Sequence, residues 1–312
     1  MNAINNILVI VDPTASEHPA VEKASRIAAR FGARLELFAC ETKESRAVRY
    51  AAHLAKGGSI DFITHIRALL EEIARPLRNQ SIDVCVEIAT GDPLHAQLLD
   101  RTQRTSADFV VKDTHHHSLA KRTFITNTDW HLIRGCPVPL LLTKSRPWPA
   151  APVIAAAVDP GHVNDKPVVL DHRILDCAQS LGDKLDGSLH ALHAYIPLVL
   201  VAEAASGMPA MVSGTTSQMM EEERVKQLER VQALTAPYGI DARRLHVDVG
   251  VASEVLPSFA QEHNVDVMVM GAISRSGLKR IFIGSTAERV LENLPCDVLI
   301  VKPPEFASSL SF

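Results

Sequence analysis

The hydrophobic positions of this chain form short continuous apolar runs, and helix-periodic stretches lie between them. Residues 7–11 and 154–158 are two such runs, and an Asp-Pro pair ends or follows each of them. Continuous apolar runs of this length are typical of strands in parallel sheets that are covered on both faces. An amphipathic stretch follows each run and is closed by a glycine, Gly32 or Gly182. The pattern predicts that strands and helices alternate.

The same alternation continues through both halves of the chain. Further strands are predicted at residues 34–39, 84–89 and 140–143, and again at 188–194, 245–249 and 298–301. Alternation of this kind implies right-handed crossovers, so we predict an α/β fold with two tandem doubly wound parallel-sheet domains. A proline-rich linker at residues 147–152 separates a predicted domain at 1–146 from another at 153–312.

The second half repeats the first. Residues 266–302 align without a gap to residues 108–144, at a constant offset of 158 positions. A fixed offset over so long a segment indicates that the two domains arose by duplication.

The copy in the second half carries a candidate phosphate site. Ligands of open α/β sheets bind at the carboxyl ends of the strands, and Gly271 ends a predicted strand there. Gly284, Ser285 and Thr286 then open a helix, whose free N–H groups and positive dipole end suit a phosphate. The alternative is a tight turn in which Ser285 only caps the helix, with the capping-box spacing to Glu288.

The copy in the first half differs at these positions. Asp113, Thr126 and Asn127 stand where the second copy has Gly271, Gly284 and Ser285. Asp129 falls in the first turn of the predicted helix, where a carboxylate complements the helix dipole and repels a phosphate. We therefore predict that the first domain does not bind a nucleotide in this way.

Composition narrows the class of protein. The chain has 312 residues, 46% of them hydrophobic and 22% charged, and a net charge of −4, which gives no reason to expect nucleic-acid binding. Its five cysteines form no CxxC pair, which favours a reduced setting. No apolar run approaches the length of a membrane span, and the first residues do not read as a signal peptide, so we expect a cytoplasmic protein.

Histidines near residue 115 are candidate metal ligands. Three consecutive histidines lie close to two aspartates, and His115, His117 and His131 are the candidates for a zinc site. The spacing matches no regular zinc motif, so a solvated polar loop is the favoured alternative and no metal centre is assigned. His190 and His193 lie on a predicted strand and are interpreted as structural.

Residues 196–212 form an apolar segment that is unusual for a connection near a ligand site. It is compatible with a lid over a hydrophobic pocket, or with a surface for a protein partner or a lipid-like ligand. Burial against the other domain or a second chain is the preferred interpretation.

Residues 267–302 resemble the C-terminal signature of the universal stress protein family, and the whole chain resembles its tandem, two-domain bacterial type. Residues 7–13, 128–134, 136–139 and 284–288 support the resemblance. It implies Rossmann-like domains of the adenine nucleotide alpha hydrolase type. It also implies that the domains pack through their C-terminal strand edges as an intramolecular pseudo-dimer, and a homodimer is compatible with it.

Nucleotide-binding members of this family carry a glycine, two residues, a glycine, nine residues, and a glycine followed by Ser or Thr. Here Gly271 matches, Ser274 replaces the second glycine with Gly277 three residues beyond, and Gly284 and Ser285 match. The resemblance implies a site for ATP or a related adenine nucleotide, with Mg²⁺ as a compatible companion. Its residues would be Ala157, Val158, Asp159, Ala194, Met270, Gly271, Ser274, Gly277, Gly284, Ser285 and Thr286.

The sequence thus predicts a stress-response binding or sensor protein that is non-enzymatic or at most a slow ATPase. One alternative is a nucleotide-free protein that binds a partner or a lipid-like small molecule. Another is a weak metal-dependent ATPase.

Overall fold

The computed structural model describes residues 4–43, 62–116, 123–161, 168–206, 214–272, 285–303 and 306. The described residues fall into two compact units, one extending to Pro149 and the other from Ala150 to Pro303.

The N-terminal unit alternates strands and helices. In chain order its elements are β1 (Asn6–Ile10), α1 (Pro19–Phe31), β2 (Arg34–Glu41), α2 (Phe62–Asn79), β3 (Val84–Thr90), α3 (Leu94–Arg104), β4 (Phe109–Asp113), β5 (His115–His116), β6 (Thr123–Phe124), α4 (Asn127–Gly135) and β7 (Leu140–Thr143). The predicted stripe of α1 is buried at Val21, Ala24 and Ile27. Gly32 ends this helix in the left-handed region, with φ of 68°, as its C-terminal position predicts.

The C-terminal unit follows the same plan. Its elements are β8 (Val153–Ala157), α5 (Val168–Lys184), β9 (Ser188–Tyr195), α6 (Leu198–Ser206), α7 (Gly214–Thr235), β10 (Leu245–Val249), α8 (Ala252–Glu262), β11 (Val267–Gly271), α9 (Ser285–Asn293) and β12 (Asp297–Val301), with short 3₁₀ turns at Ala236–Tyr238 and Ala242–Arg244. Helix α5 continues past Gly182 to Lys184, so the prediction that this glycine closes the helix is wrong. A Cβ at Gly182 would have no neighbour nearer than 4.0 Å, and nothing forces the chain to turn there.

Each unit contains a parallel sheet, and equivalent strands follow the same order in both. In the N-terminal unit the order is β3-β2-β1-β4-β7, and in the C-terminal unit it is β10-β9-β8-β11-β12. The central strands are almost fully buried, which explains their continuous apolar character. The predicted α/β fold with doubly wound parallel sheets is confirmed.

The duplication extends to individual elements. Helices α8 and α9 and strand β11 lie 158 positions after α3, α4 and β4, with identical lengths. An aspartate before each repeated strand has the same role in both units. Asp108 accepts hydrogen bonds from the backbone N–H groups of Asn5 and Asn6 at 2.9 and 3.0 Å, and Asp266 accepts one from that of Val153 at 2.8 Å. These carboxylates tie the first strand of each unit to its neighbour.

Candidate functional site

The predicted site lies where β8 and β11 end side by side, at the point where the strand order of the C-terminal sheet reverses. This is the position at which open α/β sheets bind ligands. The backbone beyond β8 is held firmly, since the Val158 N–H donates to the Leu192 carbonyl at 2.9 Å and the Asp159 N–H donates to Asp171 Oδ1 at 3.0 Å. Nδ1 of buried His193 lies 3.1 Å from the Val158 carbonyl oxygen. Two of the residues predicted at the adenosine end of the site, Val158 and Asp159, are thus fixed by hydrogen bonds to β9 and α5.

Gly271, the last residue of β11, is in close contact with helix α5. A Cβ placed there would lie 2.7 Å from Cδ2 of Leu170 and 3.2 Å from Cδ1 of Ile174, and both side chains are fully buried. Close packing of α5 on the sheet thus requires a glycine at this position, whether or not a ligand approaches it.

In the N-terminal unit the position equivalent to Gly271 is Asp113, which caps a helix. Its Oδ1 accepts hydrogen bonds from the Ala20 N–H at 2.7 Å, at the start of α1, and from the Thr143 hydroxyl at 2.6 Å. Burial raises the pKa of this carboxyl group, while the two hydrogen bonds oppose the rise. The side chain of Asp113 therefore binds the start of α1, whereas helix α5 packs directly against Gly271 at the equivalent position.

The start of helix α4 is closed by a second carboxylate. Asp129 Oδ2 accepts from the Thr126 N–H and hydroxyl at 2.8 Å each, and the Asp129 N–H donates back to the Thr126 hydroxyl oxygen at 3.2 Å. This is a capping box. Its equivalent positions in the C-terminal unit are Gly284 and Ala287, one residue before the predicted pair of Ser285 and Glu288.

A buried lysine neutralises that carboxylate. Lys112 Nζ, on the neighbouring strand β4, lies 2.8 Å from Asp129 Oδ1, and Asp129 has no exposed surface. The C-terminal unit has Met270 and Ala287 at the two equivalent positions. The ion pair at the start of α4 in the N-terminal unit is therefore replaced by two uncharged residues in the C-terminal unit.

Sequence comparison agrees with this geometry. The model of the universal stress protein family matches residues 3–144 and 167–302. The chain belongs to the universal stress protein family.

Relatives of this universal stress protein match nearly its whole length. Universal stress protein E of Salmonella typhi is 25% identical over 321 aligned positions, which cover 98% of this chain and 96% of the relative. A solved protein of unknown function from Pseudomonas aeruginosa PAO1 is 28% identical, with a TM-score of 0.77 over 99% of this chain and 96% of that one. The solved structure of a protein described as a putative universal stress protein, from Pseudomonas aeruginosa UCBPP-PA14, is also 28% identical. Its TM-score is 0.75 over 99% of this chain and 96% of that one.

Only part of the predicted nucleotide site lies within the described residues of this universal stress protein. Strand ends bring together Ala157, Val158, Asp159, Ala194, Met270 and Gly271 along one edge. Ser274, Gly277 and Gly284 lie outside the described residues. Ser285 and Thr286 open α9 as predicted, although their side chains are not described. Sequence reasoning missed Asp171, which accepts a hydrogen bond from the Asp159 N–H. It interpreted His193 as structural, and the ring of His193 lies against the Val158 carbonyl.

The candidate zinc ligands do not form a site within the described part of the chain. His131 stacks on His95 with ring centroids 3.7 Å apart, and burial and this neighbour lower the pKa of His95. His115 is in strand β5 but its side chain is not described, and His117 lies outside the described residues. Among described side chains, no group of three or more His, Cys, Asp or Glu residues is arranged to hold a metal ion.

The apolar segment of the second half contains helix α6. Of its described side chains, Ile196, Leu198 and Val201 are exposed by 46%, 74% and 49%. These three side chains are exposed in the single chain, and burial of the segment against the other domain or a second chain stays a prediction. Among the described residues, no helix is both long and apolar enough to cross a membrane.

Proposed function

We propose that the C-terminal unit binds ATP or a related adenine nucleotide, and that the protein is a non-catalytic binding and sensor component of a stress response. The proposal rests on the family and on the tandem units. It places the adenine against the ends of β8, β9 and β11, and the phosphates at the start of α9.

The observation that carries the proposal is the contrast between the starts of α4 and α9. A helix start with uncapped N–H groups attracts an anion. In α4 the anion is Asp129, held by Lys112 at 2.8 Å. Met270 and Ala287 replace this pair in the C-terminal unit, where the acidic residue of the first turn is Glu288, one position later. The proposal assigns the N–H groups at the start of α9 to an external anion such as a phosphate.

Asp159 is the proposed polar contact at the adenosine end of the site. Its backbone N–H is engaged with Asp171, and its carboxylate accepts no hydrogen bond from another described residue. In the equivalent position of the N-terminal unit, Asp12 Oδ1 accepts hydrogen bonds from both the N–H and the hydroxyl of Thr14. The Asp159 carboxylate therefore suits a ribose hydroxyl or a Mg²⁺ ion that accompanies the phosphates. Catalytic residues are not part of the proposal, and we expect at most slow hydrolysis.

Titration calorimetry with ATP tests the proposal. Gly284→Ala and Ser285→Ala are expected to weaken binding, because they alter the proposed phosphate contacts, whereas Thr126→Ala in the other unit is the matched control and should leave affinity unchanged. Absence of binding at millimolar ATP would refute the proposal. Equal effects in both units would refute the division of labour between them.

A second candidate function is supported by the exposure of Ile196, Leu198 and Val201. These side chains are compatible with a surface that contacts a protein partner or a lipid-like molecule. Non-denaturing mass spectrometry of the purified protein separates the two candidates, since a bound nucleotide and a bound lipid differ in mass. A nucleotide lost in Gly284→Ala would favour the first, and a lipid lost in Leu198→Ser would favour the second.

A further inference from the structure

The outer strands of the two sheets carry different polar groups at equivalent positions. Residue 36 on β2 and residue 190 on β9 are equivalent, because each is the third residue of its strand. Each also pairs with the third residue of the neighbouring strand, residue 8 on β1 or residue 155 on β8. Register likewise aligns residue 87 on β3 with residue 246 on β10. Residue 101 on α3 lies 158 positions before residue 259 on α8.

In the N-terminal unit these positions form an ionic group. Arg101 Nε lies 2.5 Å from Glu36 Oε1, and Arg101 Nη2 lies 3.8 Å from Glu87 Oε2. A guanidinium group and two carboxylates keep their charges throughout the physiological pH range. The contact between α3 and the sheet edge is therefore insensitive to mild acid.

In the C-terminal unit the same positions are His190, His246 and Phe259. Nδ1 of His190 lies 3.0 Å from Nε2 of His246, and the rings stack with centroids 5.3 Å apart. The ring of His246 packs against Phe259 at 4.7 Å. His263, which directly follows α8, brings a further imidazole to within 4.9 Å of His246 and 6.0 Å of His190. We call His190, His246, Phe259 and His263 the histidine cluster.

The bond between His190 and His246 depends on the protonation state of both rings. At 3.0 Å one ring nitrogen must carry the proton and the other must accept it. When both rings are protonated, two N–H groups face each other and two positive charges meet at hydrogen-bond distance. Protonation of both rings therefore converts this contact from attraction to repulsion.

The surrounding charges do not cancel this repulsion. Arg244, just before β10, adds a positive charge that lowers the pKa of His190 further. Two carboxylates act elsewhere in the cluster: Glu262 on α8 raises the pKa of His246, and Asp248 on β10, whose pKa burial raises, interacts with His263. Burial is the largest cause that lowers the pKa of His190, to about 4, and the neighbouring imidazoles of His246 and His263 add to it. Burial and His263 also lower the pKa of His246.

We propose that the histidine cluster is an acid-sensitive latch, which holds β10 and the end of α8 against β9 near neutral pH and releases them on mild acidification. The N-terminal unit, with its ionic group at the same place, stays closed. The protein would thus respond to acid through one unit only.

The direction follows from proton binding. A histidine with a depressed pKa in the folded chain takes up its proton more readily when the latch opens. Opening is therefore favoured as the pH falls from about 6.5, the value of free histidine, towards about 4. Each extra proton taken up raises the opening constant by at most about tenfold per pH unit. The raised pKa of Asp248 acts in the opposite direction, so Asp248→Asn should make the response steeper.

Hydrogen exchange measured by mass spectrometry on the full chain tests the latch. Peptides from residues 245–263 should lose protection between about pH 7 and pH 5, after correction for intrinsic exchange, by several-fold. The matched reference is residues 84–105 of the N-terminal unit, which should change little. Equal loss of protection in both segments would overturn the proposal, as would no loss in residues 245–263.

Variants locate the effect. In His190→Gln/His246→Gln, an amide pair that donates and accepts at any pH replaces the imidazoles, and the pH dependence of residues 245–263 should disappear. The exposed His65→Gln in α2 is the control and should keep it. If the double variant does not fold, NMR titration of the wild-type imidazoles decides. Titration of His190 at the pH of free histidine would exclude the latch, and titration well below it would support it.

Discussion

Helices α4 and α9 occupy equivalent places in two copies of one fold, but their first turns carry different residues. At α4 a carboxylate from the chain itself closes the helix, and Lys112 balances its charge inside the protein. At α9 both of these positions carry uncharged residues. In the N-terminal unit this helix start is closed by residues of the protein itself, whereas we propose that the C-terminal unit binds an external anion there. The comparison shows that one fold accommodates a buried ion pair at this helix start in one unit and uncharged residues at the same two positions in the other.

The largest expected effect on stability comes from removing the carboxylate that closes the first turn of α4. Asp129→Ala should lower the free energy of unfolding of the N-terminal unit by about 3–5 kcal/mol, because it leaves the Lys112 ammonium buried without its partner. Urea unfolding followed by tryptophan fluorescence measures this, since both tryptophans, Trp130 and Trp148, lie in that unit.

The double variant Lys112→Met/Asp129→Ala is the matched control for this prediction. It copies the residues of the C-terminal unit and should recover most of the lost stability, since the buried ammonium is removed together with its carboxylate. A loss of less than about 1 kcal/mol in the free energy of unfolding for Asp129→Ala alone would contradict the interpretation that Lys112 depends on Asp129 for its charge balance.

A smaller effect is expected at Gly271. Gly271→Ala should destabilise the C-terminal unit by about 1–3 kcal/mol, because the new methyl group would lie 2.7 Å from Leu170 Cδ2 in a packed core. Gly182→Ala within α5 is the control, with no atom nearer than 4.0 Å. It should be neutral or stabilising by about 0.5–1 kcal/mol. Chemical unfolding monitored by circular dichroism compares the two, and equal effects would be inconsistent with the packing argument.

Copying the carboxylate into the other unit sharpens the comparison. Ala287→Asp places an anion in the first turn of α9 and should weaken ATP binding by at least about tenfold, through repulsion of the phosphates. The same change favours the helix itself, so a loss of affinity cannot be attributed to unfolding. Calorimetry with Ala287→Ser as the uncharged control provides the test. Unchanged affinity would show that the phosphates do not bind at this turn.

The smallest effect is expected at Thr126. Thr126→Ala removes the hydroxyl that caps α4 and should cost about 1 kcal/mol of stability in the N-terminal unit. ATP affinity should stay the same, because this turn is not the proposed site. A change in affinity without a change in tryptophan-detected unfolding would reverse the assignment of the two turns.

Much of the fold was predictable because it depends on local patterns. Apolar runs located the strands, and the constant offset of 158 positions identified α4 and α9 as equivalent helices from the sequence alone. Gly182 was misread, because a glycine inside a helix and a glycine that ends one look alike in sequence. What separates them is packing, and here the helix simply continues to Lys184.

The site was predictable only in part, because its main interactions join residues from different elements. Asp129 could be recognised as a helix-start carboxylate from its own segment. Its partner Lys112 required the adjacency of β4 and α4, which no local pattern reveals. The pairing of His190 with His246 similarly depends on strand register. Gly271 looked like a ligand contact, and its contact with α5 became visible only in three dimensions.

The equal spacing of elements in the two halves has a further consequence for the gene. From α3 to β7 and from α8 to β12 the chain contains no insertion or deletion, so residues 94–143 and 252–301 are modules of equal length. Recombination between the two halves anywhere in this stretch would preserve the reading frame and every strand register. Replacement of one copy's segment by the other's, if it spans both positions, would therefore move the Lys112–Asp129 pair, or its absence, from one unit to the other as a single cassette. Proteins with this ion pair in both units, or in neither, differ from this one by a single such replacement.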